Sequence, residues 1–279
     1  MVTGARRALR SLCCGCLLAL LAGTAVAATD PPAAADRTAD RWGLRDDLRA
    51  FVRLPRTATP RAWRKVGAGV LAVGAVAAFD ESLRKAVDDN ATPGAMRLAR
   101  DLRPLGQEGG LALLGGAWGL GRATGNPRLQ RIGEDGLEAT VLAAGLLAPA
   151  LKQLSGRARP RQAESSRSYH LTGGDESFPS GEATEAFAIA AVVSAHAEHR
   201  WVKATAWSLA TAVGLGRMEL DAHWASDVAA GALLGAGVGH WVARRHPLAG
   251  ERAASRWEPD LVAPAAARRG GMLYVGWSW

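Results

Sequence analysis

Apolar residues in this chain gather into six stretches: 66–79, 109–121, 139–151, 186–195, 204–216 and 228–239. Each is about 10 to 14 residues long and rich in Ala and Gly. That length suits helices buried in a core and falls short of the 18 or more apolar residues of a membrane span. Flanking amphipathic sequence lets each helix grow by a turn or two. Gly231, Gly235 and Gly239 recur every four residues, so they line one helix face along which another backbone can come close. The pattern predicts an all-α fold, a bundle of six or more Ala/Gly-rich helices over residues 61–248.

The two ends read differently. Residues 28–60, rich in Ala, Asp, Arg, Thr and Pro, read as an extended lead-in. Before them, Arg6, Arg7 and Arg10 precede an apolar run over 11–23 and the small-x-small sequence Ala25-Val26-Ala27. This is the secretory signal pattern, so residues 1–27 are expected to be a signal peptide cleaved after Ala27. Retention of the segment as an uncleaved anchor, or lipid attachment at Cys16, are the other readings. All three cysteines (Cys13, Cys14 and Cys16) lie in this segment, so the mature chain is expected to have no thiol or disulfide chemistry. In the tail, 249–279, Trp257 to Ala263 and Met272 to Trp279 flank the turn-like PAAARRGG. They read as a short C-terminal β-hairpin or strand appendage.

Composition narrows the function classes. The chain is 48% hydrophobic and 22% charged, with a mean hydropathy of -0.01. Those values exclude disorder and weigh against a heavily lipid-buried transporter. The net charge of +8 comes almost entirely from Arg, since Lys occurs only at Lys65, Lys85, Lys152 and Lys203. Arg suits phosphate and carboxylate because its planar fork donates in pairs, although a GC-rich genome yields the same excess. No basic stripe interleaved with aromatics is present, so nucleic acid is not an expected partner. The ten Trp residues are scattered and fit helix packing or a membrane interface.

Three clusters carry candidate chemistry. Lys152, Arg157 and Arg159-Pro160 end one apolar segment, where cations also suit the helix dipole. Pro179-Ser180-Gly181-Glu182 precedes another, and free N–H groups at a helix start attract anions. Arg217, His223 and Asp227 precede the last. The four-residue spacing of His223 and Asp227 would put them on one helix face, where a carboxylate can fix the imidazole tautomer. Asp80 and Glu81 are expected to form surface pairs with Arg84 and Lys85. His170, His196, His199, His240 and His246 show no partner spacing and read as structural or exposed.

Taken in order, Lys-x6-Arg-Pro, Pro-Ser-Gly and Arg-x5-His-x3-Asp resemble the type 2 phosphatidic acid phosphatase / haloperoxidase superfamily over about residues 65–245. The resemblance implies a helical, metal-independent phosphatase without a cofactor, acting on phosphomonoesters or pyrophosphates, including lipid phosphates. Lys152, Arg159 and Arg217 would clamp the phosphate, with Ser180 and Gly181 adding hydrogen bonds. His223 would form a phosphohistidine, Asp227 would hold its other ring nitrogen, and vanadate would inhibit as a phosphate mimic. Two positions depart from the family pattern. Gly216 stands where Ser is usual. Glu182 stands where a His usually donates a proton to the leaving group, and nearby cations would depress its pKa. A non-catalytic phosphate- or lipid-headgroup-binding relative and an integral membrane lipid phosphatase are therefore the rival readings. Strict spanning by the first three apolar segments would put Lys152 to Ser180 in the cytoplasm. An exported, periplasmic bundle, soluble or membrane-associated, avoids that; an integral inner-membrane form requires one segment to be re-entrant.

Overall fold

A computed structural model describes residues 44–163, 165–170, 176–248, 261–267 and 270–276. The expected signal peptide, the first part of the lead-in and Trp257 lie outside the described residues. Nine helices run through the described part: α1 Leu44–Thr57, α2 Pro60–Ala77, α3 Asp80–Asp89, α4 Pro93–Leu102, α5 Glu108–Thr124, α6 Pro127–Ser155, α7 Gly181–His196, α8 Arg200–Glu219 and α9 Ala225–Arg245. The fold is all-α, as the apolar pattern predicts.

Local signals set the ends. The side chains of Thr59, Thr92 and Asn126 accept backbone N–H bonds at the starts of α2, α4 and α6. Each is followed by a proline (Pro60, Pro93, Pro127), whose missing N–H costs nothing in the first turn. Gly125 and Gly156 close α5 and α6 at φ of 67° and 54°, a left-handed conformation that favours glycine. Within α6, residues Val141–Leu147 form a π-helical stretch just before Pro149.

The centre of the bundle is α7 against α9. A side-chain carbon added at Gly231, Gly235 or Gly239 would overlap the carbonyl oxygens of Ser180, Thr184 and Ala188, so the two backbones touch along this stripe. Leu142, Leu147 and Leu151 of α6 join Ala188, Val192, Leu234, Val238 and Val242 in one buried cluster.

Residues 28–60 are not wholly the extended lead-in expected: α1 occupies Leu44–Thr57. Its apolar residues Leu44, Leu48, Phe51 and Leu54 recur at helical spacing inside a run dominated by charge, which hides the period. Phe51 and Leu54 enter the main core, and Phe51 meets Trp241 edge-on at 5.5 Å.

By length and composition, α6 can cross a membrane. The bent pair Pro60–Ala77 and Asp80–Asn90 adds a second candidate if it is one broken span. The apolar run 139–151 is shorter than α6 because the amphipathic stretch from Pro127 to Glu138 leads into it without a break. The continuous helix is 29 residues long. Residues Pro247–Trp279 form a separate unit. In it β1 Leu261–Ala267 pairs antiparallel with β2 Gly270–Gly276, Ala267 opposite Gly270. The paired strands include Pro264 to Ala267 and Gly270-Gly271, which the sequence suggested as turn. A two-stranded ladder has only edges, where proline is tolerated.

Candidate active site

Four chain segments supply the expected residues. Lys152 lies in the last turn of α6 and Arg159 just beyond it; Ser180 caps α7, with Gly181 and Glu182 opening it. Arg217 lies in the last turn of α8, His223 sits in the turn after it, and Asp227 lies in the first turn of α9. The α7–α9 glycine stripe places the two helix starts together, and Ser180 N donates to the Asp227 carbonyl at 3.0 Å.

His223 is 2% exposed. Its Nδ1 lies 2.8 Å from the Ser177 carbonyl. A carbonyl can only accept, so Nδ1 carries a proton and the ring orientation is fixed. Nε2 faces Glu182 Oε2 at 3.4 Å and has no hydrogen bond among the described residues.

The direct His223–Asp227 bond expected from the four-residue spacing is not made. Asp227 Oδ2 is 3.8 Å from Nδ1, too long for a hydrogen bond. His223 precedes α9, so helical spacing does not apply. Asp227 instead accepts from Ser177 Oγ at 2.5 Å, from Trp224 N at 2.9 Å and from Arg157 at 2.6 Å. It steadies His223 through the Ser177 segment. Burial would raise the Asp227 pKa, but Arg157 and the hydrogen bonds hold it below the usual carboxylate range.

Arg157 is the hub that the sequence left unassigned. It is buried and also donates to Asp80 at 2.7 Å and to the Ser166 carbonyl. Asp80 in turn accepts from Ser226 N and Oγ. The expected surface pairs of Asp80 and Glu81 with Arg84 and Lys85 therefore do not form. Asp80 is 1% exposed and bound to Arg157, and Glu81 accepts from Ser165 and Ser166. Arg84 pairs with Asp221 and Lys85 with Asp89. Sequence separation of 77 residues between Asp80 and Arg157 gave no local signal for their pairing.

Glu182 sits among the cations. Its Oε1 is 3.3 Å from Arg217 and 3.9 Å from Arg103, a cation outside the expected set. Lys152 passes over the helix start, with Cε 3.8 Å from where a Gly181 side chain would begin, and donates to the Glu176 carbonyl. Burial lowers the Lys152 pKa and the charge of Arg159 lowers it further. Burial also lowers Arg217, with Arg103, Arg159 and Arg161 adding to it and Glu182 opposing. Burial opposes ionisation of Glu182, but the His223 contact and Arg217 hold its carboxyl far below the usual range. Glu185, one turn along α7, is pushed up to about 7 by burial and by the charges of Glu182 and Glu108. The site thus holds a buried imidazole fixed through Nδ1, several cations, a capped helix start and an ionised carboxylate in their midst.

Residues 137–250 match the PAP2 superfamily. No curated protein gives a match. Among solved structures, the crystal structure of LpxE from Aquifex aeolicus is similar at 24% identity and a TM-score of 0.46, covering 58% of this chain and 92% of that one. The first transmembrane PAP2 type phosphatidylglycerolphosphate phosphatase from Bacillus subtilis is similar at 23% identity and a TM-score of 0.42, covering 63% of this chain and 92% of that one.

Proposed function

Residues 137–250 being a PAP2 superfamily region, we propose that this chain is a phosphatase acting on phosphomonoesters of lipids through His223. The observation that carries the reading is the fixed orientation of His223, held through Nδ1 so that Nε2 faces the cation-lined start of α7.

In this mechanism Lys152, Arg159 and Arg217 take the non-bridging phosphate oxygens, with Ser180 and the Gly181 N–H at the start of α7. Nε2 attacks phosphorus, a P–N bond forms, and the P–O bond to the alcohol breaks. The Ser177 carbonyl supports the cationic ring through Nδ1. The alkoxide takes a proton, and water then attacks the phosphohistidine and releases phosphate.

Glu182 is the expected proton donor, yet in the resting site it is a carboxylate. A phosphate placed between Arg217 and His223 separates Glu182 from both and sets a second anion beside it. Both changes raise its pKa, so proton donation depends on bound substrate. The same resting contacts favour one rival, a phosphate-binding relative in which Glu182 blocks turnover. The length and apolar character of α6, with Leu71, Leu113 and Leu120 exposed, support membrane association and hence a lipid substrate.

Phosphate release from p-nitrophenyl phosphate and from a lipid phosphate in mixed micelles, measured across pH 4–8, tests this reading. Wild type should be active, with an acid-side optimum, and His223→Ala should lose activity by about 10³-fold or more. Equal activity in the two proteins, or none in either on all substrates, would leave the binding relative as the better description.

A further inference from the structure

A second polar cluster lies at the far end of the bundle. It joins Asp47 of α1, Asp135 and Glu138 of α6, His196 at the end of α7, Arg245 at the end of α9 and His246 just beyond it. Glu138 and Lys152 are 14 residues apart on α6, which is about 21 Å of helix. Glu182 and His196 are equally far apart on α7. The cluster is therefore remote from His223.

We infer that Asp47, Glu138 and His246 form a binding site for a divalent transition metal such as Zn2+ or Mn2+, tying α1 and α6 to the end of α9. One ligand atom from each of the three lies within 4.8 Å of the others. With bonds of about 2.0–2.2 Å a tetrahedral set holds its ligand atoms about 3.3–3.6 Å apart, so the three side chains would draw together by up to about 1–1.5 Å on binding. One imidazole and two carboxylates suit these ions, and a fourth position remains for water.

The independent observation is Glu138. It is 0% exposed, and neither of its carboxylate oxygens has a hydrogen-bond partner among the described residues. A buried carboxyl in that state takes up either a cation or a proton.

The groups around it are arranged as an outer shell. Arg245 holds Asp47 Oδ1 at 2.5 Å and leaves Oδ2 facing the cluster. His246 Nδ1 is held at 2.8 Å by Asp135 Oδ1, and its Nε2 lies 2.8 Å from Asp47 Oδ2. Asp135 Oδ2 is fixed in turn by His196 Nε2 at 2.8 Å. A histidine whose second nitrogen is held by a carboxylate is the usual outer arrangement of a metal ligand. Arg131, 3.9 Å from Asp135, pairs with Glu134 at 3.3 Å, and Arg128 donates to the His196 carbonyl.

The competing occupant is the proton. Burial, then the charge of Asp47, pushes Glu138 up to about 8, and a protonated Glu138 would satisfy the cluster without metal. Burial opposes a charge on His246, but Asp135 and Asp47 outweigh it and push the imidazole up to about 10. A metal ion must displace both protons, so its binding should tighten as pH rises.

The experiment uses the full chain dialysed at pH 8 against micromolar Zn2+ or Mn2+, with metal content read by mass spectrometry. About one equivalent should remain bound, and Glu138→Gln and His246→Gln should each lower affinity by about tenfold or more. His199→Gln, outside the cluster, and His223→Ala should keep the metal. Chelation should lower Tm by roughly 5–10 °C and Zn2+ should restore it. If the variants do not fold, X-ray absorption at the zinc edge of the wild type should show one imidazole and oxygen ligands. Metal content near zero with a Tm insensitive to chelator, or a spectrum with two or more imidazoles, would overturn the site. None of these readouts uses phosphatase activity, so this proposal and the catalytic one can fail separately.

Discussion

Asp227 does more for Arg157 than for His223. It gives one oxygen to Arg157 and the other to Ser177 and the Trp224 N–H, while His223 turns to a carbonyl. Asp227→Asn should therefore lower stability before it alters the imidazole. Removing one partner of a buried ion pair costs about 3–5 kcal/mol, and because Asp80 still holds Arg157 the loss should fall near the low end. Urea unfolding would measure it, and an unchanged midpoint would contradict the role given to Arg157. Glu182 makes the opposite prediction. Glu182→Gln removes a negative charge from among Arg217, Arg103 and Lys152. Vanadate should then bind more tightly, by about tenfold, while turnover of esters with poor leaving groups falls by about 10²–10⁴-fold. Weaker vanadate binding in the variant would show that Glu182 does not compete for the anion position.

At the scale of helices, the glycines separate into two kinds. Gly235 has the Thr184 carbonyl where its side chain would stand, on the contact between α9 and α7. Gly119 on α5 has nothing within 4 Å. Gly235→Ala must push the two helices apart and should cost about 2 kcal/mol or more, with loss of activity because both helix starts carry site residues. Gly119→Ala should gain about 0.5–1 kcal/mol by restricting the unfolded chain, with activity unchanged. Thermal melts of the two variants should move in opposite directions. The regular four-residue spacing made the first kind legible in the sequence; Gly119 lies in an equally Ala/Gly-rich stretch and only packing distinguishes it.

For the whole molecule, buried carboxylates set the acid limit of stability. Asp227 and Asp47 both have folded pKa values below their ordinary ones; burial opposes this, and Arg157 for Asp227 and His246 and Arg245 for Asp47 outweigh it. A depressed carboxylate contributes stability that is present above its unfolded pKa of about 3.9 and is lost as pH falls through the folded value. The chain should thus hold its fold down to about pH 4 and unfold steeply below it, a transition that circular dichroism would follow. Unfolding centred near pH 6 would point to groups other than these. Asp47→Asn should make the transition shallower.

Helical periodicity and short motifs are local, so the helical class, the glycine stripe and the candidate residues carried by those motifs are readable along the chain, whereas the roles of Arg157, Arg103 and Ser177 are not. Lys152, Arg159, Ser180, Gly181, Glu182, Arg217, His223 and Asp227 could be named without coordinates. How they bond depends on folding. The turn before α9 removes the helical spacing between His223 and Asp227, and Ser177, 46 residues away, supplies the carbonyl that fixes the imidazole. Arg157 with Asp80, and Asp47 with His246, likewise pair across long separations. Those pairings follow from burial, which leaves each charge only the partners that folding brings within reach.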